Sequence, residues 1–94
     1  MADKIKFYSS SVSSNLEIKK QQQKIEMILD SKKIDYEKID ISSSEKLKNE
    51  MREIMGDPKG VPPQLAKGHQ YLGGFDEFDA AVENEQLMEF LKLK

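Results

Sequence analysis

The residue best suited to chemistry is missing from this chain of 94 residues. It contains no cysteine, which removes thiolate nucleophiles, disulfides, iron-sulfur clusters and cysteine-ligated zinc by residue type. Hydroxyls are concentrated instead: Tyr8 is followed by a serine-rich stretch from Ser9 to Ser14, interrupted by Val12. Disulfide exchange needs a sulfur nucleophile and a sulfur leaving group, so serine cannot take over that reaction at neutral pH. His69 is the only histidine. It sits in the Gly68-His69 turn, reads as a solvated turn residue, and has no neighbours from which a metal site could be assembled. What remains are two backbone-shaping motifs, Val61-Pro62-Pro63-Gln64 and Gly73-Gly74-Phe75-Asp76.

These motifs must be positioned by a small fold. A chain of this length forms one domain, residues 1–94, able to bury roughly 60 to 65% of its unfolded surface. Without disulfides its stability comes from packing. Fifteen basic and 17 acidic side chains give a net charge of -2, interspersed along the chain, which points away from nucleic acid and from a polybasic membrane contact. No apolar run approaches the roughly 20 residues of a membrane span, and Met1-Ala2-Asp3-Lys4 lacks a secretory pattern. A cytoplasmic protein is expected, small enough to diffuse into the nucleus.

Ile5 to Tyr8 reads as a strand ended by the serine-rich loop. Ser14 and Glu17 have capping-box spacing, and Ile18, Ile25, Ile28 and Leu29 form an apolar face interrupted by Gln21 and Gln22, predicting a helix from about Asn15 to Lys32. Tyr36 to Ile41 reads as a second strand, apolar on both sides and therefore central or next to centre. Ser42 and Glu45 repeat the capping-box spacing before Leu47, Met51, Ile54 and Met55, and Gly56 stops that helix. Gln64 to Lys67 and Gln70 to Leu72 form a hairpin whose pairing Gly73-Gly74 breaks. Phe75 to Val82 is a short helix, and Asn84 caps a terminal helix with Leu87, Met88, Phe90 and Leu91 on its buried side. The methionines, Met27 and Met88 included, read as core filler. The order β-α-β-α-β-β-α(-α) predicts an α/β fold, a four-stranded mixed sheet flanked by helices.

Val61-Pro62-Pro63 followed by Gly73-Gly74-Phe75-Asp76 resembles the T-V-P and G-G-x-D motif pair of glutaredoxins, within the thioredoxin superfamily, with the same interval between them. The resemblance implies that Pro63 is a cis proline and that Asp76 is the acidic residue at the γ-glutamyl end of a glutathione site. It places the family's C-x-x-C positions on Ser13 and Leu16 and its preceding lysine on Ser10. Phe7-Tyr8-Ser9, Glu17-Ile18-Lys19, Ile28-Leu29-Asp30, Val61-Pro62-Pro63-Gln64 and Phe90-Leu91-Lys92-Leu93 are similar to the SH3-domain-binding glutamic-acid-rich-like family, whose short members carry the glutaredoxin-like fold without the dithiol.

The resemblance implies a protein that is redox-inactive and not an enzyme, with no required cofactor. It is expected to act as an adaptor or modulator on cytosolic proteins, as a monomer, through a groove of Ser13, Leu16, Val61, Pro62, Pro63, Gly73, Gly74, Phe75 and Asp76. Val12, Leu16, Pro62 and Phe75 read as exposed apolar positions beside that groove. Weak glutathione or peptide binding is the alternative, through amides beside the cis proline and at the helix start after Gly73-Gly74. A remote alternative has Ser13 or Tyr8 activating a bound glutathione thiol. Pro58, Pro62 and Pro63 supply no P-x-x-P spacing, the register an SH3 groove reads, so an SH3 partner is not expected. The chain ends at Lys94 without a glutamate-rich tail, so no role of that tail is carried over.

Overall fold

In the computed structural model, which describes residues 4–13 and 15–93, the elements are β1 (Ile5–Ser9), α1 (Leu16–Ser31), β2 (Tyr36–Asp40), α2 (Glu45–Met55), β3 (Gln64–Lys67), β4 (Gln70–Gly74), α3 (Phe75–Glu83) and α4 (Leu87–Phe90). A 3-10 turn at Ile41–Ser43 joins β2 to α2. The strands form a single four-stranded sheet in the order β2-β1-β3-β4, with β1 parallel to β2 and antiparallel to β3, and β3 antiparallel to β4. The expected mixed α/β sheet is therefore present.

Alternation of side chains along the two central strands divides the interior into two packed layers. Ile5, Phe7 and Leu65 point into the larger one with Ile25 and Leu29 of α1, Phe78 of α3, and Leu87 and Leu91 at the carboxyl end. Tyr8 and Ala66 point the other way, against Ile39, Ile41 and Met51, with Leu47, Ile54 and Met55 of α2 closing that side. Lys6 shares the α2 face and survives there by reaching Glu50 of α2 at 3.7 Å.

Several local expectations are corrected. The cap of α1 is Asn15, whose Oδ1 accepts from the Glu17 and Ile18 amides at 2.9 and 3.3 Å; Ser14, the expected cap, lies outside the described residues. Ser44, not Ser42, precedes α2, because Asp40 captures the Ser42 amide and hydroxyl and folds that segment into the 3-10 turn. β2 ends at Asp40 and is an edge strand, covered on its two sides by the Phe7–Tyr36 edge-to-face contact and by burial of Ile39. Gly73 and Gly74 continue β4 instead of ending it, paired with Leu65 and Gln64 across an irregularity beside Leu72. Asn84 closes α3, and α4 begins after Gln86. Of the methionines expected as filler, Met51 is buried, whereas Met27 and Met88 are exposed.

The Tyr8 hydroxyl is buried without a hydrogen-bond partner among the described residues. Burial first, then the Glu50 and Glu37 carboxylates, push its pKa up to about 12. A buried hydroxyl left unpaired costs about 1–3 kcal/mol, so Tyr8→Phe should raise stability by about 1 kcal/mol. Urea unfolding of the two proteins checks this; a loss of stability would mean that the hydroxyl is paired in solution.

Candidate functional site

Strand register gathers the candidate residues at one end of the sheet. Tyr8 pairs with Gln64, Gln64 pairs with Gly74, and Ser9 pairs with Asp40. The carboxyl ends of β1, β2 and β4 and the amino end of β3 thus share one edge. From it emerge the serine-rich loop, the Val61 to Pro63 segment and the start of α3.

Side-chain hydrogen bonds hold the serine-rich loop down. The Gln22 amide grips Ser10 on both sides, Oε1 accepting from its N–H at 2.8 Å and Nε2 donating to its carbonyl at 3.1 Å. Asp40 accepts from the Ser11 amide at 3.2 Å, the Ser11 hydroxyl at 2.7 Å, and the Ser42 amide and hydroxyl. Those bonds favour the charged form, Ser42's hydroxyl most and Ser11's next, and hold the carboxyl down at about 2 against its ordinary 3.8. Ser13 accepts from the Asn15 N–H through its hydroxyl at 3.2 Å, so it helps start α1. Gln22 was visible in the sequence as a polar break in an apolar face; this bond explains the break. A cleft of about 520 Å³ lies beside this network, between Ser9 to Ser11, the Lys19, Gln22, Gln23 and Glu26 face of α1, and Lys38 and Asp40 of β2. Nothing in the one-dimensional pattern points to it, because it exists only once β2 lies beside β1.

A separate, smaller depression, of about 210 Å³, is the groove itself. Val61, Pro62, Pro63, Gly74, Phe75 and Asp76 line it, joined by Gln21, Gln64, Tyr71 and Glu77. Ser13, Leu16 and Gly73 do not. Ser13 and Leu16 stand on the neighbouring loop and helix start, and Gly73 is buried behind the groove. The Pro62-Pro63 peptide is cis. Gln64 bridges the walls: its Nε2 donates to the Val61 carbonyl at 2.7 Å and its Oε1 accepts from the Tyr71 hydroxyl at 2.7 Å. Glu77 accepts from the Gly74 amide at 3.4 Å.

The glycine pair has a steric reason. A Cβ on Gly74 would stand 3.1 Å from Gln64 Oε1, and one on Gly73, at φ +149°, would stand 2.9 Å from Glu77 Cβ. Both strands and α3 close in over a backbone without side chains.

Two chemical expectations change with this geometry. Tyr8 is buried on the α2 side and does not line the groove, so its hydroxyl is not placed to act on a ligand there. The amides expected beside the cis bond are reduced to those of Val61 and Gln64, because Pro62 and Pro63 have no N–H.

Comparison with known proteins agrees with this architecture. The family described as SH3-binding, glutamic acid-rich protein matches residues 3–94. The chain belongs to that family. A Drosophila melanogaster member, the SH3 domain-binding glutamic acid-rich protein homolog, is 42% identical over 101 aligned positions, which take in 95% of this chain. The alignment spans only 64% of that relative's length.

Among solved structures, a C. albicans actin interacting protein superposes with a TM-score of 0.76 at 20% identity, covering 95% of this chain and 88% of the other. A glutaredoxin from populus tremula x tremuloides gives 0.71 at 14% identity, covering 97% and 78%. A buckwheat glutaredoxin solved in complex with glutathione gives 0.70 at 12% identity, covering 96% and 77%. These likenesses establish a glutaredoxin-like fold. Within it, a family member with no cysteine has no sulfur nucleophile for thiol-disulfide exchange.

Because Asp40 is held below its ordinary range, its stabilising contribution is complete above about pH 4 and is lost as the pH falls through about 2. Asp40→Asn should therefore weaken the fold at pH 7 and show a shallower loss of stability between pH 4 and pH 2. Urea midpoints at the two extremes read this, and parallel pH profiles would show that the serine-rich loop is not held through the carboxylate charge.

Proposed function

We propose that this protein is a non-catalytic interaction module, an adaptor or modulator of cytosolic proteins that works as a monomer from the sheet end described above. The observation that carries the reading is the placement of large apolar side chains. Val12 is 75% exposed, Leu16 64% and Val61 55%, all on segments leaving the same end of the sheet. Exposed apolar groups clustered on a rigid support suit a protein contact better than isolated surface residues do. Val12 adjoins Ser13, and Leu16 is the second of the two positions that the resemblance to glutaredoxins aligns with C-x-x-C, so on that resemblance the apolar surface stands where exchange chemistry would otherwise be done. The family name and the actin interacting neighbour are consistent with a binding role, and the partner is left to experiment.

Phe75 takes a different part from Leu16. It is half-buried, packs on the larger core layer, and carries the Lys24 ammonium 5.7 Å above its ring. A charge at Phe75 would confuse folding with binding, so the informative change is Leu16→Asp with Val61→Asp. Affinity capture from cytosol with the wild-type and doubly substituted chains should recover partners only with the former, circular dichroism remaining the same. Equal recovery from both would exclude this surface as the contact.

A further inference from the structure

The side-chain charge of the groove is negative. Its carboxylates, Asp76 and Glu77, are both exposed, and no lysine, arginine or histidine is among the residues that line it. Lys24, which reaches the Phe75 ring, is already paired with Asp79 at 2.6 Å. Tyr71 senses the same field: its hydroxyl is held protonated above the ordinary range, first by burial and then by the Glu77 and Asp57 carboxylates.

Part of the backbone around it is already engaged. Pro62 and Pro63 offer carbonyls and no N–H, the Val61 carbonyl is occupied by Gln64, and the Gly74 amide is turned to Glu77. Beside the amides of the first turn of α3, the groove presents two carboxylates and no basic side chain, bordered by the apolar surfaces of Val61, Pro62 and Phe75.

Resting on the interaction role proposed above, we infer that the groove receives an extended basic segment of a partner protein, a lysine or arginine lying against Asp76 and Glu77 while apolar flanks cover Val61, Pro62 and Phe75. Charge complementarity chooses the occupant: a carboxylate-rich ligand such as glutathione meets like charge from Asp76 and Glu77. The pair Asp76 and Glu77 supplies the specificity, and the proline pair has no N–H to offer a ligand's carbonyls.

The test uses the full chain, isotope-labelled for NMR. It is titrated at low salt with the blocked peptide Ala-Pro-Ala-Arg-Ala-Pro-Ala, with the same peptide carrying Glu in place of Arg, and with glutathione. The arginine peptide should shift the resonances of Val61, Gln64, Tyr71, Gly74 and Asp76, and bind about fivefold or more tightly than the glutamate peptide. Added salt should shrink that difference. Asp76→Asn with Glu77→Gln should abolish it without unfolding the chain, since glutamine keeps an acceptor for the Gly74 amide.

Equal or tighter binding of the glutamate peptide or of glutathione at these resonances would overturn the basic-segment assignment while leaving the groove as a binding surface. Absence of shifts with all three would overturn the groove as the docking site. The apolar surface would then still stand or fall on the capture experiment with Leu16→Asp and Val61→Asp. Arginine-peptide shifts unchanged by the Asp76 and Glu77 substitutions would also overturn the assignment.

Discussion

The antiparallel pairing of β1 with β3 is the constraint on which the other features depend. Both strands are interior to the sheet, and Phe7 and Leu65, directly opposite one another, are wholly buried. Their register sets Tyr8 against Gln64, and through it the distance in sequence between the serine-rich loop and the Val61 to Pro63 segment becomes closeness in space. A slip of one residue would reverse every side chain of β3 between the two core layers. Leu65 would then leave the α1 and α3 layer, Ala66 would enter it, and the groove would lose its Gln64 bridge.

With the register set, polar groups shape the end of the sheet. Gln22, Asp40 and Asn15 tie down the loop that follows β1 and the start of α1. Gln64 and Tyr71 brace the groove wall through a short chain of hydrogen bonds ending on the Val61 carbonyl. Such networks orient backbone and exposed side chains but furnish no nucleophile. The result is a preorganised surface in which apolar groups, acceptors and two carboxylates face outward. Preorganisation lowers the ordering cost of binding a partner, which suits a contact surface.

Much of the fold was legible in the chain, because element type depends on local periodicity and on strong stop signals. The two long helices, the first strand and the hairpin follow from apolar spacing, from Gly56 in the left-handed region at φ +71° and from the Gly68 turn. The misses share a cause: each depended on a partner distant in sequence. β2 looked central because both its faces are apolar, yet Phe7 and Tyr36 cover one face of a strand at the edge. Gly73 and Gly74 looked like a break, yet they pair with β3, and the Glu77, Phe90 and Gln64 side chains occupy the space beside them. Asn15 caps α1 through its own side chain, and at the second site Asp40 draws Ser42 into the 3-10 turn, so that α2 starts after Ser44.

The sequence alone determined what this protein has no atoms for: without cysteine there is no thiolate, and with prolines at 62 and 63 there are no amides at those positions to bind a ligand's carbonyls. It also carried the alternation and helical spacing that specify an α/β sheet. Only the tertiary structure decided which of the motif residues meet, placing Val61 to Pro63 with Gly74 to Asp76 around one groove and setting Ser13 and Leu16 beside it. The physical reason is that residue type limits which bonds can form, whereas strand register and helix packing determine which groups come close enough to form them.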